Sequence, residues 1–264
     1  MLSGGVDEES KQHSNQARTD HSDELKQLNQ SSLERLQNSL KSSGELEYHF
    51  KIIINNTNEK AHTIQLQLLK GSIVDLPFRV DAIVNAANES LTGGGGIDQL
   101  IHSKAGPGLA KECIERYSGS LSAEYPTLRC STGHAVITHS HQLSTNNEHN
   151  GCDYIIHTVG PYLDEQGHPQ PKLLKSCYEK SLDLMRQYGL KSIAFPCIST
   201  GFYGYPMEEA CHLALDTCVQ WLKDHKEHML ALERIVFVVY NDTEFEIYKI
   251  IFQQKFSATV QKNL

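Results

Sequence analysis

The sequence predicts an α/β fold, a largely parallel sheet with helices on both faces, and three observations carry that prediction. Short apolar runs of strand character alternate with amphipathic helical stretches along most of the chain. Two glycine-rich polar loops each begin where such a run ends, which is where sheets of this kind hold ligands. Hydrophobic residues make up 39% of the 264. That is enough for one core domain of about 200 residues beside a polar tail.

The elements follow in chain order. Residues 1–44 are rich in Ser, Gln, Asn and charge and contain no aromatic residue. Such a segment cannot offset its own ordering entropy, so it reads as a mostly disordered tail. Leucines at 25, 28, 33, 36 and 40 allow one short helix within it, over Asp23–Leu40. Residues 45–264 read as a single domain. HFKIII (His49–Ile54) and IQLQLL (Ile64–Leu69) are predicted strands, the second alternating cleanly at Ile64, Leu66 and Leu68. AIVN (Ala82–Asn85) is a short buried strand. A helix is expected from Ile97, with Ile97, Leu100, Ile101 and Ala105 on its apolar face, until AGPG (Ala105–Gly108) breaks it. The next helix carries Leu109, Cys113, Ile114 and Tyr117. Further strands are expected at Ala135–Thr138, Tyr154–Thr158, Ser192–Phe195 and Ile235–Tyr240, and helices at Pro171–Tyr188, Met207–Asp224 and Thr243–Gln254. Ser118–Arg129 carries no motif and reads as a surface loop.

Composition removes several functional classes. The net charge is -8, and affinity for a nucleic-acid backbone comes mainly from Lys and Arg, so no nucleic-acid partner is expected. Any bound phosphate has to be held largely by backbone N–H groups. The seven cysteines form no CxxC pair and several lie in apolar segments, as reduced thiols of an intracellular protein, cytoplasmic or nuclear, would. The first thirty residues are polar, so no signal peptide is expected, and no apolar run is long enough for a membrane span. The histidines are scattered, and those of HSH (His139–His141) have no evident partner and are expected at the surface. Neither a metal nor a cofactor is implied, and a monomer is expected.

The chemistry lies in the two loops. In VNAANESLTGGGGIDQLIH (Val84–His102), Asn85 and Asn88 leave the strand end and four glycines, Gly93–Gly96, lead into the helix. Four consecutive glycines are entropically expensive and imply that backbone lies close against something. No Lys-Ser or Lys-Thr follows them, so this is not a P-loop. Asp98 and His102, four residues apart, project from one helix face, where a carboxylate beside an imidazole can position water or accept a proton. Alone, the pair would read as a helix-dipole complement and a packed surface residue. The glycines and asparagines upstream favour the functional reading. In the second loop, PCISTGFYGYP (Pro196–Pro206), Ser199, Thr200 and Gly201 could present a nest of N–H groups to phosphate, while Phe202 and Tyr203 cover a ribose. His157, in HTVGP, reads as a hydrogen-bonded structural histidine.

Taken together, KGSIVDLPFRVDAIVNAANESLTGGGGIDQLIH, CSTGHAVIT, YIIHTVGP and IAFPCISTGFYGYP, in that order, resemble the macrodomain family over about Thr63–Phe252. The GGGGID-x-x-IH form resembles its MacroD-type branch, whose members remove ADP-ribose from acidic side chains and deacetylate O-acetyl-ADP-ribose. The resemblance implies a three-layer α/β/α fold with a mixed six- or seven-stranded sheet, and ADP-ribose and ADP-ribosylated proteins as partners. By motif, it implies that Asn88 holds the distal ribose, that Asp98 positions the attacking water and that His102 supports that side of the site. Gly94, Gly95, Gly96 and Ile97 of the first loop, with Asn85, and Ser199, Thr200, Gly201, Phe202 and Tyr203 of the second, would wrap the diphosphate and distal ribose. Tyr240 would sit beside the adenine, and Ser72 and Ile73 at the adenine end.

One departure stands out. Members of the family usually carry Gly-Asp-Ile where this chain has Gly71-Ser72-Ile73, so a neutral hydroxyl replaces the carboxylate that accepts the adenine amino group. The expected reaction is hydrolysis of the ester between ADP-ribose and an acidic side chain. A carboxylate of ordinary pKa is a weak base at neutral pH, so the substrate's own diphosphate is expected to share the proton. Two readings stand beside this one: a module that binds ADP-ribosylated proteins without cleaving them, and a phosphatase acting on ADP-ribose 1″-phosphate.

Overall fold

The computed structural model describes residues 47–54, 62–118, 127–144, 150–226 and 231–256. The tail, the Asp23–Leu40 helix and most of the Ser118–Arg129 loop lie outside them. The order is β1 (Glu47–Ile54), β2 (His62–Lys70), β3 (Ala82–Ala86), α1 (Gly96–Ala105), α2 (Pro107–Tyr117), β4 (Ala135–His139), β5 (Tyr154–Thr158), α3 (Pro171–Gln187), β6 (Ser192–Phe195), α4 (Met207–Asp224), β7 (Arg234–Val239) and α5 (Asp242–Phe256). A single 3-10 turn, His141–Leu143, follows β4. The seven strands form one sheet in the order β1-β2-β7-β6-β3-β5-β4. Its five inner strands are parallel, and β1 and β4 run antiparallel at the two edges.

Strand alternation splits the core in two. Ile64, Leu66 and Leu68 of β2, Ala82 and Val84 of β3, Ile193 and Phe195 of β6, and Ile235 and Phe237 of β7 face α3, α4 and α5. Ile83, Ile155, Ala194, Val236 and Val238 face the opposite way, against Ile101 and Ala105 of α1 and Leu109 and Cys113 of α2. This period of two on both faces is what a sheet buried between helix layers requires.

Neighbouring strands β3 and β6 send their chains to opposite faces, β3 to α1 and β6 to α4. The crevice between their carboxyl ends is therefore the topological switch point. Its floor is pinned from below. Asp81, just before β3, accepts the N–H groups of Lys191 (2.6 Å) and Ser192 (2.8 Å), while its carbonyl accepts those of Asp153 and Tyr154. One residue thus ties the starts of β5, β3 and β6 together.

The edge strand β4 is closed by side chains of α2. The Tyr117 hydroxyl donates to the Ile137 carbonyl and accepts the Ile137 N–H, and Glu112 accepts the His139 N–H at 3.2 Å. These are backbone groups that an open edge would offer to another chain. Here the expectation for the HSH segment needs correcting. His139 is exposed, but His141 is half-buried, and both rings meet one carboxylate: His139 Nδ1 lies 3.1 Å from Glu112 Oε1 and His141 Nε2 2.7 Å from Oε2. Glu112 lies 27 and 29 residues away in sequence, so nothing local announced it. Those hydrogen bonds hold the Glu112 carboxyl below its ordinary range against the opposing effect of burial, which is the largest single influence on it. The groups form a hydrogen-bonded clasp, and among the described residues no cluster has the geometry of a metal site.

Candidate functional site

Asn85 is the fourth residue of β3, on the same face of the strand as Ile83, so its side chain points toward α1. It is fully buried. Its Nδ2 donates to Asp98 Oδ1 at 2.8 Å and lies 3.1 Å from His157 Nδ1. Asn85 therefore sits under the site as a support for Asp98 rather than in its lining. Asn88 leaves the strand as a turn former: its Oδ1 accepts the N–H groups of Ser90 and Leu91, and its Nδ2 donates to the Gly93 carbonyl at 3.2 Å. This ties the turn after β3 to the first of the four glycines.

The glycines differ in what they do. Gly93 and Gly96 take positive φ values of 84° and 61°, the left-handed region that glycine enters without penalty. A Cβ on Gly93 would press on the His102 ring at 3.3 Å. One on Gly94 would lie 2.9 Å from Asn88 Nδ2 and 3.2 Å from Asp98 Oδ2. Gly94 thus marks where Asn88 and Asp98 converge. Gly95 is the N-cap of α1 and supplies no side-chain cap, which leaves the first-turn N–H groups of that helix available to an anion.

Asp98, in the first turn of α1, is only 3% exposed. Oδ1 takes the Asn85 hydrogen bond and stands 3.5 Å from His102 Nε2. Oδ2 is buried and has no hydrogen-bond partner among the described residues. Burial raises the carboxyl above its ordinary pKa, and the Asn85 hydrogen bond, the nearby His102 and, least, the Asn88 backbone N–H partly offset this. Burial likewise lowers His102, against the pull of Asp98, which favours the neutral ring. The structure therefore changes one expectation. The raised pKa makes Asp98 a better proton acceptor than its residue type alone implied.

Loop two rises from β6 next to β3. Ser199 adopts a φ of 66° and its Oγ is buried without a partner among the described residues. The loop closes on itself through Tyr205 N–H to the Ser199 carbonyl (3.0 Å), Gly204 N–H to the Gly201 carbonyl (3.0 Å) and Thr200 Oγ1 to the Cys197 carbonyl (3.1 Å). Gly201 is exposed, with open space where a Cβ would be, and Phe202 is 95% exposed. Tyr203 is half-buried, and the closeness of Asp98 and Glu89 contributes, after burial and Tyr162, to the high pKa of its phenol. It belongs to the same end of the cleft as Asp98.

At the other end, the Gly71 N–H donates to the Val239 carbonyl at 2.9 Å, which sets Ser72 near Tyr240 at the carboxyl ends of β2 and β7. Ser72 Oγ is buried and has no hydrogen-bond partner among the described residues. Ile73 is buried in the α1-side core and Ile97 packs at its margin. Tyr240 lies one residue past β7, not within it, and is 78% exposed.

Two contributors escaped sequence reasoning. Tyr162 stacks on Tyr203 with ring centroids 3.6 Å apart and meets Phe202 edge-on at 6.5 Å, forming an aromatic wall beside loop two. Its only local signal was an aromatic directly after the Gly160-Pro161 stop. Gly160 itself abuts loop two, since a Cβ there would come within 2.1 Å of Ser199 Oγ.

A family model described as Macro domain matches residues 84–214. ADP-ribose glycohydrolase MACROD2 of Homo sapiens is 42% identical over 204 residues, which is 76% of this chain and 42% of that protein. Macro domain-containing protein TTE0995 of Caldanaerobacter subterraneus subsp. tengcongensis is 40% identical over 192 residues, 72% of this chain and 97% of that protein. The Oceanobacillus iheyensis macrodomain with ADP is a structural match with a TM-score of 0.64 at 34% identity, over 81% of this chain and 99% of that one. Variants of it in which an asparagine, a glycine or an aspartate is replaced have also been solved, the glycine variant with ADPR. This chain spans 42%, 36% and 39% of the first three curated relatives it matches.

Proposed function

Because the chain belongs to the macro domain family, we propose that it is a hydrolase that binds ADP-ribose, removes mono-ADP-ribose from acidic side chains of proteins and deacetylates O-acetyl-ADP-ribose. The observation that carries this reading is Asp98 Oδ2: a buried carboxylate oxygen with no partner among the described residues, beside Asn88 and Gly94 at the switch point of the sheet. A binding module has no use for a desolvated carboxylate next to a bound diphosphate, which it would repel. A hydrolase does, because the same oxygen can orient a water and draw off its proton.

In this mechanism the N–H groups at the start of α1 and those of Ser199–Gly201 hold the diphosphate, and Asn88 and the Tyr203 ring bracket the distal ribose. With Asp98 Oδ2 as the base, water attacks either the anomeric carbon, expelling the side-chain carboxylate, or the ester carbonyl, expelling the ribose oxygen, which takes up the proton drawn from the water. His102, neutral, packs against Gly93 and keeps Asp98 on its course. Orientation of a water that is already partly desolvated supplies the main rate advantage. The seven free cysteines, six of them buried, support an intracellular location for this activity.

The test is incubation with a protein mono-ADP-ribosylated on glutamate, followed by release of the label. Wild type is expected to release it, and Asp98→Ala to bind ADP-ribose while releasing far more slowly. Binding of ADP-ribose by wild type with no release identifies a non-cleaving module and refutes the proposal. Equal release by wild type and Asp98→Ala refutes the assignment of the base.

A further inference from the structure

His157 sits at the carboxyl end of β5, is fully buried, and is held at both ring nitrogens. Nδ1 lies 3.1 Å from Asn85 Nδ2 and Nε2 lies 2.9 Å from Thr138 Oγ1. Strand pairing fixes this row: Asn85 is opposite His157 in the β3–β5 register, and Thr138 of β4 is on the same sheet face. An amide nitrogen can only donate, so Nδ1 is the acceptor, and the ring proton is on Nε2, donated to Thr138. The Asn85 amide thus gives one proton to His157 and the other to Asp98 Oδ1. Turned over, it would set its carbonyl oxygen against the Asp98 carboxylate on one side and the Nδ1 lone pair on the other. The Asp98 carboxylate thus selects the orientation of Asn85, and Asn85 in turn selects the tautomer of the ring.

We propose that His157, backed by Thr138, is a positioning residue for the hydrolysis: through Asn85 it holds Asp98 Oδ1 and leaves Oδ2 as the oxygen free to orient water. The proposal rests on the hydrolase reading of the cleft. An apolar residue could fill this space without the cost of desolvating an imidazole, so packing alone does not account for a histidine here. Burial drives the ring down to about 3, with His102 adding to the effect, so His157 stays neutral and keeps one tautomer across the working range. The other titratable groups facing it are Glu112, whose opposite effect is smaller, and Cys113, whose Sγ is 3.9 Å from Nε2 and whose pKa is pushed up to about 12. Asp98 is reached through Asn85. Any pH dependence transmitted by the row therefore enters through Asp98.

The test compares His157→Leu, which removes the acceptor, with His157→Asn, whose carbonyl oxygen can stand near the place of Nδ1. In His157→Leu, kcat is expected to fall by about a hundredfold, as for misplacement of a catalytic group by a distant change, with KM and ADP-ribose affinity within about twofold of wild type. The acid limb of its pH–rate profile is expected to move to higher pH, because Asp98 loses a hydrogen bond that lowers its pKa. His157→Asn is expected to recover about a tenth of wild-type kcat, and His157→Leu to add nothing in the Asp98→Ala background. Thr138→Val, nearly isosteric, is the second variant if His157→Leu does not fold, with an expected loss of about tenfold and the same direction of the limb.

A kcat that falls only in step with the folded fraction, with the acid limb unmoved, overturns the proposal. If wild type proves inactive, the hydrolase reading fails, and the row is judged by carbon-13 NMR titration of the Asp98 carboxyl. An Asp98 pKa that rises in His157→Leu and returns toward wild type in His157→Asn upholds it. An unchanged pKa overturns it.

Discussion

Asp98→Asn should make the protein more stable and nearly inactive. In the folded state the carboxyl is 3% exposed, and burial raises its pKa above 3.8, the ordinary value. Folding at neutral pH thus carries an ionisation penalty, and each pKa unit between folded and unfolded states is worth about 1.4 kcal/mol. Asparagine has nearly the same shape and can still accept the Asn85 hydrogen bond, so the ionisation penalty disappears, while an unpartnered buried oxygen is exchanged for an amide nitrogen and the smaller contribution of the Asn88 backbone N–H is given up. The expected outcome is a higher Tm than wild type at neutral pH. The sign follows from the raised folded pKa. The penalty is fully present above that pKa, shrinks as pH falls through it and is gone below 3.8, where both states are protonated. Turnover should fall by about a hundredfold or more, the usual weight of a general base. Thermal melts of wild type and variant at several pH values, with single-turnover release of ADP-ribose from a modified protein, check both halves. An Asp98→Asn variant that melts at or below the wild-type temperature at pH 7 would refute the electrostatic argument, whatever its activity.

Gly160→Ala should lower stability by about 1–3 kcal/mol and weaken ADP-ribose binding, because the new Cβ would lie 2.1 Å from Ser199 Oγ and 2.7 Å from Ile198 Cγ2 and must displace loop two. Thermal melts and titration calorimetry read the two effects, and an unchanged Tm contradicts the packing. Gly201→Glu should abolish binding with little effect on Tm, since a Cβ there meets open space but the carboxylate would stand where a diphosphate is held. Calorimetric binding within tenfold of wild type would remove loop two from the phosphate site. Tyr117→Phe should cost about 1–3 kcal/mol by stripping the Ile137 N–H and carbonyl of their side-chain partner. Faster amide exchange at Ile137 is the specific signature, and a variant with wild-type exchange there contradicts the edge-capping role.

What the sequence made legible was local. Ile64, Leu66 and Leu68 announce a strand because alternation is written in neighbouring residues, and Gly93 and Gly96 announce unusual backbone because φ is a property of one residue. AGPG marked the break between α1 and α2, where Gly106 has a φ of 79° and Pro107 opens the next helix. What remained hidden was set by tertiary placement. Asp81, just before β3, reaches the start of β6 across 111 residues and also holds the start of β5, and Glu112 receives His139 and His141 across 27 and 29. Nothing beside either residue signals this. Tyr162 reads as a loop aromatic until Tyr203 is brought onto it. The upward shift of the Asp98 carboxyl was hidden for the same reason, since burial belongs to the fold and not to the GGGGID motif.

Asn85 joins the two kinds of information. Its neighbours Ile83 and Val84 place it on the α1 side of the sheet by alternation alone, which is legible. Its opposition to His157, 72 residues on, depends on the register between β3 and β5. A slip of one residue in β3 would turn Asn85 to the α3 side, against Ile156, send Ala82 and Val84 to the α1 side, and leave Asp98 without its donor. The hydrophobic alternation that keeps those side chains against the helices is therefore also what orients Asp98. On this reasoning the geometry of the site is a consequence of core packing, and the glycine loop contributes access for the ligand rather than the placement of the carboxylate.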